Sequence, residues 1–231
     1  MRASDAPLDH GTGRPPILPE STFFRWVLVP LILLAAGALG GVADALVSQL
    51  LIEEYGEFAK ECGRIGGGIG LGIGFSLALT GGRRLFIVLS PVVGVSSYLA
   101  VVTASSPLDG SFRIPELGKV LSDPFATRLV AVATPVLTLA HLLHATSSRI
   151  QRSAVRSIAW FGSLGAFSGS VFWWYGPPYS SHEGISVEFA VGLINGAVYG
   201  LGQLGGTCIK GLLQRRHRGS PNQHRSQKRR Q

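Results

Sequence analysis

The chain has 231 residues, of which 46% are hydrophobic and only 15% are charged, with a formal net charge of +8 at pH 7. The apolar residues are gathered into long blocks almost free of charge, and this distribution excludes an ordinary soluble globular domain. The positive charge does not indicate a nucleic-acid partner, because residues 214–231 contain no Phe, Tyr or Trp on which a base would stack.

A helix that crosses the hydrocarbon core of a bilayer needs roughly 20 apolar residues. Turn and charge signals, such as Gly81-Gly82-Arg83-Arg84, separate six blocks of about this length. The sequence therefore predicts an all-α, polytopic integral membrane bundle of six transmembrane helices. The predicted helices cover residues 26–45, 62–80, 85–104, 129–146, 158–175 and 189–209.

Charge and aromatic residues orient this bundle. If the N-terminus is cytoplasmic, most of the 21 basic residues lie in cytoplasmic segments, whereas the last outer loop, residues 176–188, has none. Trp160 stands at the inner start of the fifth helix, and Trp173 and Trp174 stand at its outer end, where amphipathic rings prefer the headgroup layer. We therefore predict a multi-pass protein of a cell (inner) membrane, with both termini in the cytoplasm.

The domain organisation is simple. Residues 1–22 and 211–231 are polar and lack periodicity, and we expect two disordered cytoplasmic tails on either side of one transmembrane domain, residues 23–210. The basic C-terminal tail suits anionic lipid of the inner leaflet. The longest outer loop contains residues 115–121, which have the composition of a short surface helix.

The glycine-rich stretch GGGIGLGIG, residues 66–74, fits neither a dinucleotide fingerprint nor a Walker A loop, because the third glycine and the Gly-Lys-Ser/Thr are missing. Glycines four residues apart, as in a glycine zipper, instead favour close helix packing in a membrane. Further glycines of the same helix lie on its other side, so we expect it to be sandwiched between neighbours. The predicted packing positions are Gly66, Gly70, Gly74, Gly192, Gly196 and Gly200.

Helices 1–2 and 5–6 show weak similarity. Both first members contain Gly-x-Leu-Gly, at residues 37–40 and 162–165, and the second members align Gly68 with Gly192 and Gly72 with Gly196. A duplication and chance both explain this pattern in a chain with 31 glycines. Internal repeats of this kind occur in transporters but do not identify one.

Polar residues inside a membrane are expensive and are therefore functional candidates. His141 and His144 share one face of helix 4 in the inner half of the membrane, and Ser168 and Gln203 lie at comparable depth. Asp44 lies near the outer end of helix 1, where we interpret it as a solvated carboxylate. We predict that His141, His144, Gln203 and Ser168 form a polar layer, which is either purely structural or lines a proton or solute path.

Two other interpretations of this layer are weaker. Two histidines without a Cys, Asp or Glu at the same depth do not make a metal site, and we expect neither a metal nor another cofactor. Six helices with a glycine-rich serine segment are similar in outline to a rhomboid-type intramembrane protease. However, Ala166 stands where that family has the glycine before the nucleophile, and the sixth helix carries Asn195 and no histidine. We therefore name no catalytic residue and expect no enzyme.

Two functions remain. The first is a small permease or channel-like protein whose polar layer meets a cytoplasmic cavity. The second is a non-catalytic membrane scaffold or assembly subunit that acts through glycine-rich packing, with a homo-oligomer or a membrane partner protein as its contact. A wet interior distinguishes the first from the second, because transport requires a path for water or solute and a scaffold does not.

Overall fold

The computed structural model describes residues 22–51, 59–80, 84–105, 124–151, 153–175 and 185–228, and all regular structure in these ranges is helical. A π-helical turn, Phe24–Leu28, leads into the first helix, and a 3-10 segment, Arg84–Leu89, leads into the third. The α-helices of these ranges are α1 (Val29–Leu51), α2 (Ala59–Thr80), α3 (Ser90–Ser105), α4 (Pro124–Thr146), α5 (Ser148–Gln151), α6 (Ala154–Tyr175) and α7 (Ile185–Lys228).

Four helices in the described part of the chain are long and apolar enough to cross a membrane. They cover Phe24–Val47, Ala59–Leu79, Ile87–Ser105 and Ala126–Thr146. The predicted all-α class is thus confirmed for the described residues, and these four candidate spans coincide with the first four predicted spans. The fifth and sixth predicted spans are also helical, in α6 and α7, but do not belong to this set. Six spans and the orientation of the termini therefore remain predictions.

The six long helices form a closed ring in the order α1, α2, α3, α4, α6, α7, and α2 additionally packs against α4. Neighbours run in opposite directions, as between α2 and α3, where Gly68 faces Tyr98 and Gly72 faces Gly94. The pairs α1–α2, α1–α7, α6–α7 and α4–α6 are antiparallel in the same way. It follows that α2, α4 and α7 run in one direction, and all three contribute side chains to the middle of the bundle.

Two helical hairpins are held together by direct contact of their backbones. At each contact, a Cβ atom added to the glycine would overlap the backbone of the facing residue. Between α1 and α2, Leu33 meets Gly70, Gly37 meets Gly66, and Gly41 meets Cys62. Between α6 and α7, Phe161 meets Gly200, Gly165 meets Gly196, and Gly169 meets Gly192.

The two hairpins therefore share one contact pattern. Each step of four residues toward the C-terminus of the first helix is matched by a step of four residues toward the N-terminus of the second. This pattern makes Gly37 equivalent to Gly165 and Gly66 equivalent to Gly196. The alignment from sequence was shifted, since it matched Gly40 with Gly165. A sequence alignment does not show which glycine of a helix faces the partner helix. The backbone contacts in the structure show this directly.

Local features at the start of α1 and the end of α2 fix the geometry of the first hairpin. The ring of Pro30 would crowd the carbonyl group four residues earlier, and the wider π-helical turn Phe24–Leu28 precedes it. The Arg25 guanidinium donates a hydrogen bond to the carbonyl of Ala78 in the last turn of α2, and it lies 6.0 Å from the ring centroid of Trp26. A cation at a helix C-terminus is favourable because the carbonyl groups there lack partners.

Some expectations differ from the structure or lie outside it. Helix α7 continues to Lys228, through most of the segment 211–231 in which composition predicts disorder. Residues of good helix propensity, such as Leu, Gln, Arg and Lys, occupy much of this extension, although Gly219 and Pro221 oppose a helix. The expected N-terminal tail, residues 1–22, lies outside the described residues except for Thr22, and so does the expected surface helix, residues 115–121.

Candidate polar path in the bundle interior

Five buried side-chain atoms have no hydrogen-bond partner among the residues that the structure describes. They are Ser76 Oγ, Thr134 Oγ1, Thr138 Oγ1, His141 Nε2 and Gln203 Oε1. Ser76 belongs to α2, Gln203 to α7 and the other three to α4, so all five lie on the three helices that run in the same direction. Buried polar groups in folded proteins nearly always have partners, and an ordered water supplies the partner where no protein atom does.

The spacing of the α4 residues explains why they form one line. Thr134, Thr138 and His141 follow at steps of four and three residues, which places them on one face of a helix. Thr134 fits against Gly72 of α2 and Gly94 of α3, where neither glycine carries a side chain that would displace it. Since α2 and α4 run in parallel, Ser76, one turn beyond Gly72, stands at the level of Thr138.

His141 is 7% exposed and is held by α7 and α6. Its Nδ1 lies 3.0 Å from the hydroxyl oxygen of Thr207, and its ring meets that of Phe161 edge-on with the centroids 5.0 Å apart. The Thr207 hydroxyl donates its proton to the carbonyl of Gln203 at 3.1 Å. With the ring proton on Nδ1, the hydroxyl oxygen of Thr207 accepts from it; with the ring proton on Nε2, the hydroxyl donates to Nδ1 instead.

Gln203 is 1% exposed and reaches from α7 across both α1 and α2. Its amide nitrogen donates to the carbonyl of Leu33 at 3.4 Å, and the same nitrogen occupies the space that side chains at Gly37 and Gly70 would fill. The Gln203 side chain also interacts with the His141 ring. Glycines at these two positions are thus needed for the amide to reach the interior as well as for the helices to meet.

His144 lies at the end of this arrangement beside the turn between α4 and α6. It is half-buried, its Nε2 lies 3.2 Å from the Ser157 hydroxyl, and its ring lies 5.5 Å from that of Phe161. Gln151 donates to the His144 carbonyl at 2.8 Å, and the Trp160 indole donates to Ala140 at 3.2 Å. These bonds fix the turn between α4 and α6, and they place both histidines against Phe161.

Ser168 does not belong with the other predicted residues. It is 1% exposed, but its hydroxyl donates to the Gly165 carbonyl of its own helix at 2.7 Å. It also stands two turns along α6 from Phe161, about 10 Å at 1.5 Å per residue. The structure thus brings His141, His144 and Gln203 together around Phe161 and Thr207, and it leaves Ser168 apart.

A second polar group occupies the opposite half of the bundle and corrects the interpretation of Asp44. This carboxylate is only 3% exposed and is hydrogen-bonded to Tyr199 of α7, so it is not a solvated helix end. The Tyr199 hydroxyl also lies 3.3 Å from the carbonyl oxygen of Cys62. Nearby, Tyr98 donates to Glu61 at 2.7 Å, and Arg64 donates to Ser105 at 2.8 Å.

Tyr199, Gln203 and Thr207 were not recognised as a unit from the sequence. Their spacing of four residues puts them on one face of α7, between the Asp44 carboxylate at one end and His141 at the other. This periodicity was the available signal. It was obscured because Gly192, Gly196 and Gly200 show an equally regular spacing on the face that meets α6.

The six glycines predicted to pack helices are all buried in helix contacts. Gly66, Gly70 and Gly74 face α1, and Gly192, Gly196 and Gly200 face α6. Gly68 and Gly72 face α3, so glycines on two sides of α2 allow a neighbouring helix to pack closely on each side.

In the described residues no group of three or more His, Cys, Asp or Glu side chains is placed to hold a metal ion.

The geometry of the interior thus offers hydroxyl, amide and imidazole groups for hydrogen bonding. The chain matches no protein-family model, and neither a curated protein nor a solved structure is detectably similar to it.

Proposed function

We propose that this protein is a small multi-pass permease or channel-like protein of a cell membrane, with its solute path between α2, α4 and α7. In this proposal α6 and α7 also cross the membrane, which gives six spans with both termini in the cytoplasm. The positive-inside distribution of basic residues supports that orientation.

The observation that carries the proposal is the set of five buried side-chain atoms without partners on three co-directional helices. Each buried polar group left unsatisfied costs about 1–3 kcal/mol, so five of them in a dry core would be a large destabilisation. Water along the path removes this cost. A row of hydroxyl, imidazole and amide groups that hydrogen-bonds water would also hydrogen-bond a small polar solute.

Polar side chains follow one another along the proposed path from one end of the bundle to the other. His144, half-buried, stands at the cytoplasmic end, and His141 follows one turn deeper. Thr138 and Thr134 continue along α4, while Gln203 and Tyr199 continue along α7 toward Asp44. The alternation of donors and acceptors along both helices provides successive positions for a molecule that moves by exchanging hydrogen bonds.

A membrane scaffold is the second candidate function. It is favoured by large apolar side chains on the outside of the bundle, such as Leu39, Val88 and Val155, which are 71%, 80% and 74% exposed. These would contact lipid, a second copy of the chain or a membrane partner protein, while the basic C-terminal segment lies on anionic lipid. The unpartnered polar atoms of the interior have no role in this candidate.

Cysteine labelling tests the proposal. In a chain with Cys62→Ser and Cys208→Ser, single cysteines at Thr138, His141 or Gln203 are treated with a membrane-impermeant thiol reagent from each side. We expect labelling of His141→Cys and Gln203→Cys from the cytoplasmic side, because a water-filled path admits the reagent.

The controls use residues of known placement. Gln151→Cys, which is exposed beside the inner turn, should react from the cytoplasmic side and thereby also test the orientation. Ser168→Cys, which is buried and bonded within its own helix, should stay unlabelled. Absence of labelling at all three path positions, together with a reactive Gln151→Cys, would reject the path in favour of the scaffold.

A further inference from the structure

A carboxyl group is buried at the junction of three helices, in the half of the bundle opposite His141. Asp44 of α1 is 3% exposed and is hydrogen-bonded to Tyr199 of α7, which is 4% exposed. The same Tyr199 hydroxyl lies 3.3 Å from the carbonyl oxygen of Cys62 on α2. Both α2 and α7 pack against α1, so the carboxyl group lies inside the bundle and not on its surface.

One hydroxyl proton stands between two acceptors at this junction. When Asp44 is ionised, its oxygens only accept, and the hydrogen bond with Tyr199 uses the phenol proton. When Asp44 carries a proton, it donates that proton to the phenol oxygen, and Tyr199 donates its own proton to the Cys62 carbonyl. The contacts of Tyr199 with both groups therefore form a hydrogen-bond chain that is complete only with a proton on Asp44.

We propose that Asp44 and Tyr199 form a proton-binding site. A proton from water joins the carboxylate and converts it to a neutral carboxylic acid, and no other covalent bond is made or broken. The Tyr199 hydroxyl then turns from the Asp44 carboxylate to the Cys62 carbonyl, and loss of the proton reverses this change. Proton binding thus adds a connection from α7 to α2 to the existing connection from α7 to α1.

The titratable and charged groups around Asp44 suit a proton as the ligand. Among the described residues, α7 contributes Tyr199, and α2 contributes Cys62 and Glu61. Glu61 lies 3.5 Å from Arg64, so its charge is balanced within α2. A buried carboxylate is costly in a membrane, and a proton removes its charge with only the hydroxyl and carbonyl groups already at the junction.

Infrared difference spectroscopy of the full chain in lipid bilayers tests the proton on Asp44. Spectra are compared between mildly acidic and mildly alkaline pH. We expect a carboxylic-acid carbonyl component that grows as the pH falls and that Asp44→Asn removes. The matched control is Glu61→Gln, the same kind of change on the neighbouring and more exposed carboxylate, which should keep this component. Tyr199→Phe should move the component to higher frequency, because the acid proton loses its acceptor.

The movement of the Tyr199 hydroxyl has its own measurement. The chain has two cysteines, so in Cys208→Ser a carbon-13 label in the cysteine carbonyl reports on Cys62 alone. We expect the labelled carbonyl band to shift to lower frequency on acidification, because that carbonyl gains a hydrogen bond. The shift should be absent in Tyr199→Phe and in Asp44→Asn.

Three results would overturn the proposal. The first is an Asp44 component that is missing at every pH or equally strong at every pH. The second is a component that responds to added sodium and not to pH, which would assign the site to a metal cation. The third is a Cys62 carbonyl that does not shift while Asp44 titrates, which would refute the movement of the hydroxyl. None of these results depends on solute crossing the bundle, so the proposed function is tested separately by cysteine labelling.

Discussion

Gly37 of α1 and Gly66 of α2 lie so close that a methyl group on either would overlap the carbonyl oxygen of the other. This contact sets the distance between two helices whose backbones, rather than side chains, form the interface. Gly165 of α6 and Gly196 of α7 repeat the relationship at the other side of the ring.

The first prediction concerns this contact. Gly66→Ala should destabilise the fold by about 3 kcal/mol, at the upper end of overpacking effects, because the obstacle is backbone and cannot change rotamer. Gly205→Ala is the control, since nothing lies within 4 Å of a Cβ atom there. The better helix propensity of alanine should stabilise that variant by about 0.5–1 kcal/mol. Unfolding by SDS from mild detergent measures both, and equal effects would refute the backbone contact.

The second hairpin allows a control within one helix. Gly165→Ala should reduce stability by a similar amount, about 3 kcal/mol, because its Cβ would enter the backbone of α7 at Gly196. Gly162→Ala, three residues earlier in α6, would meet only the Leu201 side chain at 3.9 Å, an ordinary contact. Thermal unfolding in detergent should therefore separate the two variants. A larger loss for Gly162→Ala would show that α6 is rotated relative to the present arrangement.

The Tyr98–Glu61 pair connects α3 to α2. Tyr98 is 1% exposed, and its hydroxyl donates to the carboxylate at 2.7 Å, so Tyr98→Phe should cost about 1.5–3 kcal/mol, as expected for a hydrogen bond to a charged group. Thr103→Ala provides the comparison, because this exposed hydroxyl bonds only to the Leu99 carbonyl of its own helix. We expect that change to stay within about 0.5 kcal/mol. A Tyr98→Phe variant as stable as the parent chain would show that the pair does not connect the helices.

A change at Thr138 distinguishes a wet interior from a dry one. Valine has nearly the shape of threonine, so Thr138→Val keeps the packing and removes only a buried hydroxyl without a protein partner. If water occupies the path, we expect reduced water flux in proteoliposomes, with stability changed by less than about 1.5 kcal/mol. In a dry core the same change would relieve an unsatisfied group. Stabilisation by about 1–3 kcal/mol with unchanged permeability would therefore count against the path.

Much of the architecture could be predicted because it depends on runs of local residues. The apolar stretch that became Phe24–Val47 and the spacing of Gly66, Gly70 and Gly74 are both visible within one segment. Position along each helix placed His141 and Gln203 at one level, and in the structure Thr207, one turn from Gln203, contacts His141.

Orientation around the helix axis could not be predicted in the same way. Asp44 is buried because Tyr199, from a helix more than 150 positions later in the chain, covers it, and no local pattern shows that pairing. Ser168 has the right depth, but its helix directs the hydroxyl to its own Gly165 carbonyl. Depth is a property of one segment, whereas the direction in which a side chain points depends on which helices surround it.

Neither hairpin can slide internally without driving carbonyl groups into glycine backbone. The hairpins meet along a seam between α1 and α7, where Gly40 packs against Gly202. Gln203 bonds to Leu33 across this seam, and Thr207 of the same helix bonds to His141. Separating α1 from α7 would therefore break the Gln203–Leu33 bond but not by itself the Thr207–His141 contact, because that contact joins α7 to α4.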